Sequence, residues 1–217
     1  DIRYVPYSLP TYFIENGITS VMIEEEKTDL KVFGNHNLLN ITAAYYVCRE
    51  LNVNAHVFSK AIASFTGASS RLELLDESRE GNIYRDFAHA PSKVTASVDA
   101  MKQQFPGRRL IAILELHTFS SLNENFMNEY RGALENADEA IVFYSSHALE
   151  IKRLPLLNVE KVKEGFGKQN LEIITSREEL EKRLVHTAKS NANFLFMSSG
   201  SYEGMNILQV IKGDEDN

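Results

Sequence analysis

The spacing of apolar residues changes twice along the chain. Residues 19–24 and 29–33 are short runs of strand character, the second alternating apolar and polar side chains through Leu30 and Val32, and they predict a hairpin or sheet edge. The spacing then lengthens to that of a helical face. Leu38, Ile41, Tyr45 and Cys48 mark a helix over 37–51, and Val57, Phe58, Ala61, Ile62 and Phe65 a second over 55–65.

After the small polar stretch Thr66-Gly67-Ala68-Ser69-Ser70, strands and helices alternate regularly. Strands are predicted at 72–75, 83–87, 110–114, 140–144, 171–175 and 194–198, with helices filling the gaps. Pro91 suits a first helical position, Val94, Val98, Met101 and Phe105 share one face behind it, and Ser176 with Glu179 has the spacing of a capping box. Such apolar strands joined by helical crossovers imply an α/β fold: a mostly parallel sheet with helices on both faces, preceded by a piece of short strands and two helices. The expected division is 1–66, a hinge at 67–71, and a second domain over 72–217.

Ligands of parallel sheets bind beyond the C-terminal ends of the strands. The segments there are Asp86-Phe87-Ala88-His89-Ala90-Pro91, Glu115-Leu116-His117-Thr118-Phe119-Ser120-Ser121, Ser145-Ser146-His147 and Ser198-Ser199-Gly200-Ser201.

Composition narrows the classes. With 43% hydrophobic and 24% charged residues the chain has the makings of a folded core, and disordered or collagen-like classes are excluded. A net charge of −7 without basic runs argues against nucleic acid and anionic membranes as partners. The sequence holds no run of about 18 apolar residues and no signal-like start, so a cytoplasmic location is expected. Cys48 is the only cysteine; its helical apolar position suits a buried small hydrophobe rather than a nucleophile. The acidic tail Asp214-Glu215-Asp216 reads as a solvated end.

Common motifs fail on inspection. Gly167-Lys168 is followed by Gln169 instead of Ser or Thr, and Val162 stands where a phosphate loop needs its first glycine. Gly165-Phe166-Gly167 lacks the third glycine of a dinucleotide fingerprint. There is no HExxH, no cysteine pair and no Gly-x-Ser-x-Gly, and no metal site is expected. Asn40-Ile41-Thr42 matches a glycosylation sequon but falls inside a predicted helix.

Three segments occur in a telling order: Gly34-Asn35-His36-Asn37-Leu38-Leu39-Asn40, Arg71-Leu72-Glu73 and Asp86-Phe87-Ala88-His89-Ala90-Pro91. They resemble the Mur ligase family, whose members join an N-terminal UDP-sugar domain, a central P-loop ATPase domain and a C-terminal Rossmann-like domain that brings the incoming amine. The first segment resembles the family's element beside the adenine, and the third the signature that opens its C-terminal domain. Residues 155–167 and Met197-Ser198-Ser199-Gly200-Ser201-Tyr202-Glu203-Gly204 extend the likeness to the branch acting on UDP-N-acetylmuramate. Ala90 replaces the family's usual second histidine, and Ser70 the first arginine of its Arg-Arg pair.

The resemblance implies an ATP-dependent amide ligase of peptidoglycan, using ATP and Mg2+ in the complete enzyme, with UDP-N-acetylmuramate and a peptide as partners. Within the branch, Asp86-Phe87, Leu114-Glu115-Leu116 and the Met197–Gly200 turn favour the tripeptide L-alanyl-γ-D-glutamyl-diaminopimelate as the amine; L-alanine is the alternative, and a non-catalytic nucleotide-binding module a third reading. It also implies that 1–66 is the end of the ATPase domain, with the phosphate loop, magnesium ligands and UDP-sugar domain before Asp1. These residues alone are then expected neither to catalyse nor to hold a cofactor tightly.

Residue by residue, the resemblance assigns ATP contacts to His36, Asn37 and Asn40 at the adenine, Arg71 at the phosphates and Asp86 at the ribose. The plainer alternatives are helix capping by Asn35, Asn37 or Asp86 and a surface ion pair for Arg71. Substrate binding or orientation falls to His89, His117, Thr118, Ser120, Ser199, Gly200 and Tyr202, against ordinary turn and loop roles. His56 and His186 carry no assignment.

Overall fold

A computed structural model describes residues 4–187 and 189–213, so the acidic tail Asp214-Glu215-Asp216 lies outside the described residues. The chain divides into two units, Asp1–Ala68 with Asp99–Pro106, and Ser69–Val98 with Gly107–Asn217.

The first unit opens with an antiparallel meander of β1 (Tyr12–Glu15), β2 (Ile18–Ile23) and β3 (Glu26–Leu30), followed by α1 (Asn35–Glu50) and α2 (Ala55–Ala63). β1 goes beyond the sequence-based expectation. Its signal is Asn16-Gly17, with φ of 53° and 76°, the positive values that a two-residue hairpin turn between Glu15 and Ile18 requires. β3 begins three residues earlier than the alternation of 29–33 suggests, because Ile23 pairs with Glu26 across a tight turn in which Glu24 has φ 55°. Val21, Ile23 and Leu30 of the sheet pack with Leu38, Ile41 and Tyr45 of α1 and Phe58 of α2. Each such side chain contributes about 1.5–3 kcal/mol when fully buried.

The second unit contains β4 (Glu73–Glu77), β5 (Asn82–Asp86), β6 (Arg109–Glu115), β7 (Glu139–Phe143), β8 (Glu172–Ile174) and β9 (Ala192–Met197). The predicted strands of this region lie within two residues of these. They form one sheet in the order β4-β5-β9-β6-β7-β8, parallel throughout except for the antiparallel β4–β5 pair. Flanking it are α3 (Pro91–Gln104, whose last turns belong to the first unit), α4 (Ser146–Ile151), α5 (Val159–Phe166), α6 (Arg177–Val185) and α7 (Ile207–Lys212). Ile111, Ile113, Ile141, Phe143, Phe194 and Phe196 are almost wholly buried, as strands covered on both faces must be. The Ser176 hydroxyl accepts the Glu179 N–H, so α6 starts where the capping signature places it.

One gap departs from the expected helix. Between β6 and β7 the chain forms a 3-10 helix over Glu124–Tyr130. Its buried residues, Met127 and Tyr130, are three apart, the period of a 3-10 turn, and Tyr130 stacks on Phe166 with ring centroids 4.9 Å apart.

β9, the last strand in sequence, lies between β5 and β6. The C-terminal ends of β5, β9 and β6, at Asp86, Met197 and Glu115, therefore adjoin, although β7 and β8 separate β6 from β9 in sequence. Ligands of α/β sheets bind beyond such carboxyl ends.

Candidate functional site

Two buried carboxylates mark this edge. Asp86, ending β5, is 6% exposed and accepts a hydrogen bond from the Ser97 hydroxyl of α3. It is thus not the cap of the helix that begins at Pro91. Glu115, ending β6, is 3% exposed. Its Oε2 accepts the Ser198 hydroxyl and, at 3.0 Å, the Tyr202 N–H, while Oε1 lies 3.8 Å from His117 Nδ1. The Ser198 oxygen in turn accepts the Gly200 N–H at 2.6 Å. A side chain at position 200 would have no room: a Cβ there would sit 2.8 Å from Glu115 Oε2 and from His117 Cγ and Nδ1. Glycine is required by close approach rather than by backbone torsion.

The loop after β9 then takes an unusual path. Tyr202, Glu203 and Gly204 have φ of 50°, 55° and 76°, three consecutive left-handed residues, two of them not glycine. Several contacts hold them there. The Tyr202 hydroxyl lies 2.9 Å from the carbonyl oxygens of Ile113 and Met197, Ser145 donates to the Glu203 carboxylate, and Arg177 donates to the Glu203 carbonyl at 3.0 Å. Burial, reinforced by the nearby Glu115 charge, holds the Tyr202 phenol well above its ordinary pKa of 10.0.

Beside this loop opens a pocket of about 290 Å³, lined among others by Ser70, Arg85, Asp86, Phe87, Ser198 and Gly200. Arg85 donates to Glu73 at 2.8 Å while its Nε, although buried, has no hydrogen-bond partner. The Arg85 bond, with the Ser70 N–H second, holds the Glu73 carboxyl below its ordinary 4.5. On the adjoining surface the Arg71 guanidinium lies 4.8 Å from the Phe87 ring centre, and the Phe87 and His89 rings meet edge to face at 5.1 Å. His89 Nδ1 is 2.9 Å from the Phe87 carbonyl oxygen.

The sheet edge therefore brings together Asp86, His117, Ser199, Gly200 and Tyr202 of the expected residues, with His89 on the segment that follows Asp86 and Arg71, just before β4, over Phe87. Thr118 and Ser120 are engaged in their own turn, where hydroxyls of Thr118, Ser120 and Ser121 lie 3.0–3.1 Å apart. Ser199 Oγ is buried without a hydrogen-bond partner. His147, at another strand end, pairs on the surface with Glu150 at 3.9 Å. In the first unit, Gly34, with φ 89°, caps α1, and the Asn37 amide donates to the Phe33 carbonyl at 2.9 Å. His36 and Asn40 lie in that first turn and the next.

Sequence reasoning assigned no site role to Arg85, nor to Glu115 beyond its place in segments 114–116 and 115–121. An available signal was an ionisable residue closing or adjoining the end of an otherwise apolar strand. Among the described residues no group of three or more His, Cys, Asp or Glu side chains is placed to hold a metal ion. No described helix is long and apolar enough to cross a membrane.

Against known proteins, the Mur ligase, glutamate ligase domain matches residues 70–200. A UDP-N-acetylmuramate–L-alanine ligase of Paenarthrobacter aurescens is 38% identical over 116 residues, 54% of this chain and 25% of that protein. The solved UDP-N-acetylmuramate–alanine ligase of Thermotoga maritima superposes with a TM-score of 0.68 at 21% identity, covering 89% of this chain and 42% of that one. A murein peptide ligase of Psychrobacter arcticus gives 0.56 at 20% identity over 91% of this chain and 42% of that one. At these identities the two structures speak for the fold. The chain spans well under half the length of the curated relatives it matches, 25% and 38% in two of them.

Proposed function

The chain belongs to the Mur ligase family through its glutamate ligase domain, and from that premise we propose that it is the amine-delivering part of an ATP-dependent ligase that extends UDP-N-acetylmuramate. The supporting observation is that the family match, residues 70–200, takes in Ser70, Arg85, Asp86, Phe87, Ser198 and Gly200 of the pocket lining. In this reading 1–66 is the end of the central ATPase domain, 67–71 the hinge and 72–217 the C-terminal domain.

Amide formation needs an activated carboxylate and an amine held against it with little water present. ATP supplies the phosphoryl group that activates the carboxylate. The chain's own residues bind and orient. Asp86 has one acceptor site taken by Ser97, and a carboxylate offers about four, so it retains capacity for ribose hydroxyls. Arg71, held over Phe87, presents a guanidinium to phosphate oxygens, and His36, Asn37 and Asn40 serve the adenine. His89, His117, Thr118, Ser120, Ser199, Gly200 and Tyr202 shape the seat of the amine substrate.

For the amine we favour the tripeptide L-alanyl-γ-D-glutamyl-diaminopimelate, the substrate of murein peptide ligase, because Asp86-Phe87, Leu114-Glu115-Leu116 and Met197–Gly200 resemble that enzyme. L-alanine is the second reading, favoured by the 38% identity to an L-alanine ligase. The deciding experiment is ATP-dependent amide formation by the complete gene product with UDP-N-acetylmuramate and each amine. Turnover with tripeptide alone supports the first reading and turnover with L-alanine alone the second. Absence of both overturns the ligase proposal.

A further inference from the structure

Several ties of the loop that borders the pocket converge on one side chain. Glu115 Oε2 receives the Ser198 hydroxyl and the Tyr202 N–H, and through Ser198 it also fixes the Gly200 N–H. Its other oxygen stands at ion-pair distance from His117, whose ring packs where a Gly200 side chain would be. One carboxylate thus holds the first, third and fifth residues of the Ser198–Tyr202 stretch and stands beside the Nδ1 edge of a histidine. It does so from behind: Glu115 is 3% exposed, whereas Ser198, Gly200 and Tyr202 line the pocket.

We propose that Glu115 is a positioning residue for the amine substrate: its buried carboxylate sets the Ser198–Tyr202 loop and the His117 ring in the arrangement that shapes the pocket, without itself touching the ligand. The proposal rests on the ligase reading for its substrate. What the site demands of position 115 is an acceptor for two converging donors. Glutamine meets that demand, since one amide oxygen can take both hydrogen bonds. Methionine, similar in size, cannot, and leaves both donors unmet in a buried place.

The test compares Glu115→Gln with Glu115→Met in the complete enzyme, reading KM separately for amine and ATP. Glu115→Gln is expected within about threefold of the parent and Glu115→Met about tenfold or more higher in amine KM, with ATP KM within about twofold in both, the scale of one or two hydrogen bonds. Should Glu115→Met fail to fold, Ser198→Ala removes one donor, keeps the carboxylate and is expected to raise amine KM severalfold. An unchanged amine KM in Glu115→Met, or equal rises for amine and ATP, would overturn the proposal. If the parent forms no amide, the ligase reading fails, and the positioning role is read instead from amide-proton NMR of the 217-residue chain. There the Gly200 and Tyr202 resonances should move in Glu115→Met and stay near the parent in Glu115→Gln; identical spectra for the two variants would contradict it.

Discussion

The ends of β5 and β6 carry the same chemistry put to different use. Both strands close on a carboxylate less than a tenth exposed, Asp86 level with Leu114 and Glu115 one residue further along. Asp86 is held by one donor from the helix that follows it, and the chain then runs out along the surface through Phe87 and His89. Glu115 is enclosed by donors from the far end of the sequence, and the loop that supplies them is left-handed through three residues. A carboxylate with spare acceptor sites can meet a ligand. Glu115, enclosed by its own chain behind the residues that line the pocket, shapes the place where a ligand goes.

The strongest way to break this contrast is Glu115→Met. It leaves the Ser198 hydroxyl and Tyr202 N–H without their acceptor, and stability in urea should fall by about 3 kcal/mol, since each unsatisfied buried group costs about 1–3 kcal/mol. Gly200→Ala comes next. Its Cβ must displace the His117 ring and the pinned Glu115 carboxylate, and a loss of about 2 kcal/mol is expected from the range for overpacking. Asp86→Asn should behave oppositely: its amide oxygen can still accept from Ser97, so denaturation should change by less than about 1 kcal/mol, while ATP KM in the complete enzyme rises about tenfold. Equal stability losses at 86 and 115 would erase the distinction.

The smallest effect concerns the rim of the pocket. Glu73 is held below 4.5 by Arg85 and the Ser70 N–H, so it prefers to be charged in the folded state. A depressed folded pKa contributes stability that is present above the ordinary 4.5 and lost as pH falls through the lower folded value. Glu73→Gln should therefore lower the melting temperature slightly at neutral pH, and the gap to the parent should close well below pH 4.5. A gap that widens on acidification would contradict the assignment.

What the sequence disclosed follows the same division between local and distant. The strands of the second unit were legible because runs such as Leu110–Leu114 are apolar on both faces and short, a pattern with few other outcomes. Asp86 was legible because it shares its segment with His89 and Pro91, and its partner Ser97 lies only eleven residues on. Glu115 was not, because its donors lie 83 and 87 residues away and adjoin it only when β9 inserts between β5 and β6. The 3-10 turn over Glu124–Tyr130 was hidden for a related reason: its period of three is settled by Tyr130 stacking on Phe166, a contact made in tertiary structure.

The central claim is that ligands meet the second unit at the C-terminal ends of β5, β6 and β9. Hydrogen–deuterium exchange of the complete protein, with and without nucleotide and amine under turnover conditions, tests it most directly. The account predicts added protection in peptides spanning 86–91, 115–121 and 198–204 and little change at the opposite sheet edge around Asn82 and Arg109. Turnover accompanied by protection only elsewhere would contradict it.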